Sequence, residues 1–151
     1  MLGIVVTGLN NGSLGKKREQ LIENTVQVCI DHLKLNRFKG LIHVKQTKSR
    51  KMLDGWAVGF ATMDKVELDE GKIWWGVIEL CNQHPKDIVK TICHEMVHIK
   101  QYAKGELVDL SRCGSTKWLE NVVDRNTNYW DLPWEIEAHG KELGLFISWA
   151  E

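Results

Sequence analysis

Pro85-Lys86-Asp87-Ile88-Val89-Lys90-Thr91-Ile92-Cys93-His94-Glu95-Met96-Val97-His98-Ile99-Lys100-Gln101-Tyr102-Ala103-Lys104-Gly105 is the stretch around which the rest of the chain organises. A proline suits the first turn of a helix, where its missing N–H is not needed, and a glycine suits the stop. At 100° per residue Ile88, Ile92, Met96, Ile99 and Ala103 share one face, whereas Thr91, His94, His98 and Tyr102 share another. The spacing predicts a helix docked on a core by its apolar face, with both histidines off that stripe. Cys93, about 100° from His94, reads as a core thiol.

Upstream, three runs read as strands: Leu41 to Gln46, Trp56 to Met63 and Lys72 to Leu80, with Asp69-Glu70-Gly71 as a turn into the third. Their alternation of bulky and small residues predicts a small, twisted, mostly buried sheet, mainly antiparallel or mixed, of about three strands. Before them, Leu21, Ile22, Val26, Cys29, Ile30 and Leu33 recur at three- and four-residue steps, which predicts an amphipathic helix from about Leu14 to Phe38 ended near Gly40. The opening Leu2 to Thr7 is a short strand or a docked arm. Downstream, Glu106 to Leu132 has no clear period and reads as a functional loop. Pro133 then opens a last helix toward Trp149. Helix, strands, helix, helix without repeats or linkers predicts one α+β domain over residues 1–151.

The chain has 151 residues, 43% hydrophobic and 26% charged, with 20 basic side chains against 20 acidic ones. That composition excludes disorder as the main state, and no apolar run approaches the ~20 residues of a membrane span. Zero net charge argues against a nucleic-acid or anionic-lipid partner, since both favour a basic face. The cluster Lys45 to Lys51 reads as a solvated loop. No secretory leader is legible at the start, so the expected location is the cytoplasm. There Cys29, Cys81, Cys93 and Cys113, which form no C-x-x-C pair, stay free.

His94-Glu95-Met96-Val97-His98 is the H-E-x-x-H pattern. Residues four apart on a helix stand one turn above each other, so two imidazoles can share one metal ion with Glu95 beside them. With 6 His in the chain, random placement gives the pattern with a probability of roughly 2%, so it needs support from its context. A catalytic zinc needs a third protein ligand and leaves one position open, and His-His-Glu is one such set. Leu132-Pro133-Trp134-Glu135-Ile136-Glu137-Ala138-His139 offers two glutamates about 200° apart on a helix, so only one of Glu135 and Glu137 can face the metal.

His94-Glu95-x-x-His98 followed by Glu135-x-x-Ala138 resembles the gluzincin zinc metallopeptidases. Thr91 to Leu107 and Leu132 to Leu143 most resemble the small phage-borne metallopeptidases grouped as SprT-like. The resemblance implies a compact zincin-like fold, one Zn²⁺ on His94, His98 and Glu135, and Glu95 as the general base. It selects Glu135 over Glu137, so that replacing Glu137 should leave metal binding unchanged. Where the related E-x-x-A-D pattern has an aspartate, this chain has His139. The implied activity is hydrolysis of protein or peptide substrates in the cytoplasm, that of a host cell if the chain is phage-encoded. Glu95 takes a proton from a metal-activated water, and Tyr129, Tyr102 or neither donates to the oxyanion, packing or surface exposure being the alternative role of each tyrosine. The resemblance also implies that the Lys72 to Leu80 strand edges the cleft and pairs with extended substrate. Rival readings are a non-catalytic zinc-stabilised binding module, which has no need of Glu95, and a nucleic-acid-associated protease docking through Lys16-Lys17-Arg18 and the Lys45 cluster.

Overall fold

A computed structural model describes residues 1–10, 12–47, 59–81, 84–110 and 115–151. The fold is α+β. Strand β1 (Leu2–Thr7) leads into helix α1 (Ser13–His32), then β2 (Gly40–Gln46), β3 (Gly59–Leu68), β4 (Gly71–Leu80) and helix α2 (Pro85–Ala103). Three short strands follow, β5 (Leu107–Leu110), β6 (Ser115–Trp118) and β7 (Asn121–Val123), then a single 3₁₀ turn (Tyr129–Asp131) and helix α3 (Pro133–Ala150).

The main sheet has four strands in the order β1-β2-β4-β3, one more than predicted. The opening residues are a strand and not an arm. β1 runs parallel to β2, with Ile4 opposite Ile42, and β2 runs parallel to β4, with Ile42 opposite Gly76. A parallel neighbour needs a crossover, and α1 supplies it between β1 and β2. β3 and β4 form an antiparallel hairpin across the two-residue turn Asp69-Glu70. Its register leaves β3 as an edge strand among the described residues, so the Lys72 to Leu80 strand is interior and does not edge the cleft. β3 outruns its expected end at Met63 because its distal half projects past the helices, exposed on both faces, where no burial imposes alternation. Residues Trp56 to Val58 of that expected strand, and Lys48 to Lys51 of the basic cluster, lie outside the described residues.

One face of the sheet carries the core. Ile42, Val44, Ile78 and Leu80 meet Ile22, Val26, Cys29 and Ile30 of α1 and Ile88, Ile92, Met96 and Ile99 of α2. Gly76 permits this closeness, since a Cβ there would lie 2.9 Å from Met63 Sδ and 3.2 Å from Ile99 Cδ1. Helix α3 joins the same cluster through Ala138 and Leu145.

Helix α1 ends at His32, six residues short of the prediction. Leu35 N–H donates to the Ile30 carbonyl (2.9 Å) and Lys34 N–H to that of Asp31 (3.3 Å), a six-to-one and five-to-two pair that closes the helix, with Lys34 left-handed at φ 58. Apolar Leu33, Leu35 and Phe38 continue the hydrophobic pattern past this stop because the turn itself is buried. Gly40 instead starts β2, where a Cβ would sit 1.8 Å from the Trp74 carbonyl oxygen. Helix α2 ends as predicted at Gly105, with φ 72 and the same pair of terminal bonds from Glu106 and Gly105. Within the expected loop from Glu106 to Leu132, the described residues include a three-stranded antiparallel sheet, β5-β6-β7. Its strands are three or four residues long and mostly solvated, too short to print a period on the sequence.

Candidate metal centre

Positions 94 and 98 stand one turn apart on α2, and α3 crosses beside them so that Glu135, in its first turn, faces both rings. His94 Nε2 lies 3.0 Å from Glu135 Oε1, His98 Nε2 lies 3.0 Å from Glu135 Oε2, and the two Nε2 atoms are 3.2 Å apart. A tetrahedral ion with bonds of about 2.0–2.1 Å separates its ligand atoms by about 3.3–3.4 Å. Each of these separations is within a few tenths of an ångström of that value, with one Glu135 oxygen at each ring. The three side chains are only 12%, 10% and 12% exposed. Donor chemistry and spacing both fit, and the cluster of His94, His98 and Glu135 could hold a metal ion.

The far nitrogen of each ring is also engaged. His94 Nδ1 meets Glu142 Oε2 at 3.1 Å, and His98 Nδ1 meets Gln101 Oε1 at 2.8 Å. Partners of this kind hold a ligating imidazole in orientation and tautomer. Tyr129 O–H donates to Glu135 Oε1 at 2.7 Å and lies 3.0 Å from His139 Nε2, while His139 Nδ1 is 3.3 Å from Glu142 Oε1. Hydrogen bonds thus circle the centre from Glu135 through Tyr129, His139 and Glu142 to His94. His139, one residue beyond Ala138, is thus part of this ring, and Glu142, one turn further on, supplies the carboxylate that meets His94. Glu142 is a site residue that sequence reasoning missed. Its signal was the seven-residue spacing from Glu135, two turns on the same face.

Glu137 points the other way, onto Lys100 Nζ (3.0 Å to each oxygen) and Gln101 Nε2 (3.0 Å). The structure thus brings Glu135 to the histidines and leaves Glu137 apart, as the 200° offset demands. Glu95, 7% exposed, borders the same cleft. Burial pushes its carboxyl above the ordinary value, although the neighbouring His98 and His94 pull it back. Burial pulls both imidazoles down, but the hydrogen bond to Glu135 and the surrounding carboxylates more than offset it, so both are raised. Glu135 is held well below the carboxylate range: burial opposes this, and hydrogen bonds from His94, His98 and Tyr129 prevail.

The cleft has a volume of about 420 Å³ and is bounded by Gly59 to Ala61 of β3 on one side and Trp134 and His139 of α3 on another. Tyr102 and Tyr129 both reach it. Burial and the Glu135 carboxylate raise the Tyr129 phenol; burial and the nearby Asp109 push Tyr102 up to about 12. Both are hydrogen-bond donors at neutral pH. Of the tryptophans near the site in sequence, Trp134 lines the cleft, Trp130 stacks on the His139 ring at 5.1 Å, and Trp75 is exposed on the opposite sheet face. His43 bonds Thr7 within the sheet and His84 caps α2, so neither belongs to the centre. Cys29, Cys81 and Cys93 are buried and form no disulfide among the described residues; Cys113 lies outside the described residues. No helix among the described residues is long and apolar enough to cross a membrane. Compared with family models, curated proteins and solved structures, the chain matches none.

Proposed function

We propose that the chain is a zinc-dependent metallopeptidase of gluzincin type, with Glu95 as its general base. One observation carries this reading: donor atoms of three residues, 3.0–3.2 Å apart, converge beside a buried glutamate at the wall of an open cleft. A His-His-Glu set with room for a further ligand suits catalytic zinc better than a closed structural site. When bound, zinc supplies Lewis-acid polarisation of the scissile carbonyl and lowers the pKa of water toward ~7.

The chain's own residues do the rest. Glu95 accepts a proton on its carboxylate and delivers it to the departing amine, and burial keeps its basicity high enough for the task. Glu142 and Gln101 hold the two imidazoles in place. Tyr129, whose hydroxyl already stands at the ligand carboxylate, is better placed than Tyr102 to donate to the oxyanion. The edge of β3 beside Glu95, unpaired among the described residues, can take an extended peptide as an added strand, which gives affinity without a demand for sequence. Buried cysteines that form no disulfide among the described residues suit a reducing compartment, and the cytoplasm is the site of action in this reading.

Metal analysis of purified protein is expected to give about one zinc per chain. Glu95→Gln should keep that zinc and lower hydrolysis of dye-labelled casein by about 10²–10⁴-fold. A protein that takes up no zinc refutes the proposal, as does a fully active Glu95→Gln. Wild-type protein that holds zinc tightly and cleaves nothing would favour the binding module.

A further inference from the structure

We infer that the outer face of helix α3 is the interface of a two-fold dimer, with a second copy of this chain as its occupant. The core face of α3 centres on Ala138 and Leu145, both buried, and Ile136 stands about 180° round the helix from Leu145. A surface helix carries polar side chains on that side. Here the sector opposite the core holds Ile136, Gly140, Leu143, Gly144, Ile147 and Ala150, all exposed and none of them polar. Ile136, Leu143 and Ile147 are 57%, 62% and 50% exposed. The charged residues keep to its flanks, Glu135 and Glu142 toward the metal centre and Glu137 and Lys141 on the other side. A helix apolar on two opposite faces is suited to burial on both, and the described residues cover only one.

The two glycines agree with this. Neither has a positive φ, and a Cβ added at either meets nothing within 4 Å. The single chain therefore has no use for them, and in mid-helix each weakens α3 relative to alanine. A second helix packed closely against this face gives them one.

The spacing says which helix that is. Ile136, Gly140, Leu143, Ile147 and Ala150 follow at steps of four, three, four and three, the seam of a coiled coil. Run antiparallel about a two-fold axis between residues 141 and 142, the seam sets Ile136 against the partner's Ile147 and Leu143 against the partner's Gly140. Both pairs recur across the axis, as an isologous interface requires. Each Leu143 thus enters the hole over a glycine. Run parallel, Gly140 would face the partner's Gly140 across a void, and close packing disfavours that. A seam that complements itself under a two-fold needs no other surface matched to it, and no charge is buried on closing it. From Ile136 to Ala150 it runs ~21 Å. Trp130, 68% exposed and stacked on His139 one turn from Leu143, widens it. Two copies would cover on the order of 1,000 Å², the low end of specific interfaces, so the dimer is weak, with a dissociation constant of micromolar order.

Sedimentation equilibrium of the purified full chain over about 1–500 μM tests this and is expected to show monomer and dimer in exchange. Leu143→Lys, at an exposed position, should keep the wild-type Tm in dilute solution and raise the dissociation constant at least ~10-fold, because it buries an unpaired charge. Gly140→Leu has open space in the single chain and a better helix former, so it should raise the Tm of the dilute monomer; yet it sets knob against knob and should abolish the dimer. The exchange Gly140→Leu/Leu143→Gly puts knob and hole back on opposite helices and should restore it. A chain that stays monomeric over the whole range overturns the inference. So does a dimer that Leu143→Lys leaves intact, since its interface then lies on another face. Tighter association of Gly140→Leu, or an exchange variant of wild-type Tm that stays monomeric, refutes the antiparallel pairing on which the choice of occupant rests.

Discussion

Gly59 is where β3 comes closest to the glutamate on which the proposed chemistry depends. A Cβ at this position would lie 2.4 Å from Thr91 Cγ2, 3.1 Å from Glu95 Oε1 and 3.2 Å from Glu95 Cγ. Carbon atoms rest at about 3.5–4.0 Å, so in Gly59→Ala the strand or helix must move by about 1 Å. Thr91 is β-branched and packed in α2, and it cannot swing aside as a long side chain would. Overpacking of this size costs about 1–3 kcal/mol, which for a chain of this length lowers Tm by about 2–12 °C. The displaced group includes Glu95, and an error of about 1 Å at a reacting group can cost ~10²-fold in turnover. The three atoms nearest the new methyl belong to Thr91 and Glu95 and to none of the three ligands, so zinc content should stay at the wild-type level.

Calorimetry, zinc analysis and casein hydrolysis on the same preparation separate these effects. Thr91→Ser deletes the Cγ2 that makes the worst contact. The Gly59→Ala/Thr91→Ser pair should therefore recover most of the lost Tm, measured against Thr91→Ser alone, in a double-mutant cycle. Less of the activity should return, because the contact with Glu95 remains. A Gly59→Ala protein with wild-type Tm and turnover would refute the reasoning, as would a double variant no more stable than additivity predicts.

Two further outcomes are expected. Lys34 holds a left-handed conformation at the end of α1, where glycine is strain-free, so Lys34→Gly should raise stability by about 0.5–1 kcal/mol, or Tm by about 1–4 °C; a lower Tm would show that the Lys34 side chain contributes more than its backbone costs. For the metal-free protein, the raised His94 and His98 contribute stability in full below their ordinary value of 6.5, and this is lost as pH rises through their folded values. The depressed Glu135 contributes above its ordinary 4.5, and this is lost as pH falls through its folded value. Zinc instead needs both imidazoles deprotonated, so the gain in Tm on adding zinc should grow as pH rises through the histidine range. Calorimetry with and without chelator across that range checks this, and a gain that is flat with pH would contradict the ligand assignment.

Helix α2 was legible in its own residues. Pro85, the apolar stripe from Ile88 to Ala103 and Gly105 act within one helix, and the four-residue step from His94 to His98 brings their rings together whatever the helix packs against. Helix α3 was legible for the same reason, from Pro133 onward, as was the 200° offset that separates Glu135 from Glu137. Helix α1 was read six residues too long because Leu33, Leu35 and Phe38 are buried in the turn that follows it. Hydrophobic pattern reports burial, and burial continues where the helix does not. The strand that edges the cleft was misassigned for a related cause. Both strands of the hairpin are visible locally, but which one is left unpaired depends on β2, more than 25 residues away, choosing β4 as its parallel neighbour.

What the residues determined by themselves is what one turn of helix or one turn of chain can enforce: three helices, a hairpin, and two histidines and a glutamate on faces that could converge. The tertiary structure decided what they converge on. Only the packing of α3 across α2 brings Glu135 between the two Nε2 atoms, places Glu142 at His94, and closes Gln101 between His98, Trp134 and Glu137. Apart from His98 and Gln101, neighbours on one helix, those partners lie 33 to 48 residues apart in the chain. No local propensity acts over such a separation. It is set by how closely two helices approach, and here small, fully buried Ala138 in the shared core lets that approach occur.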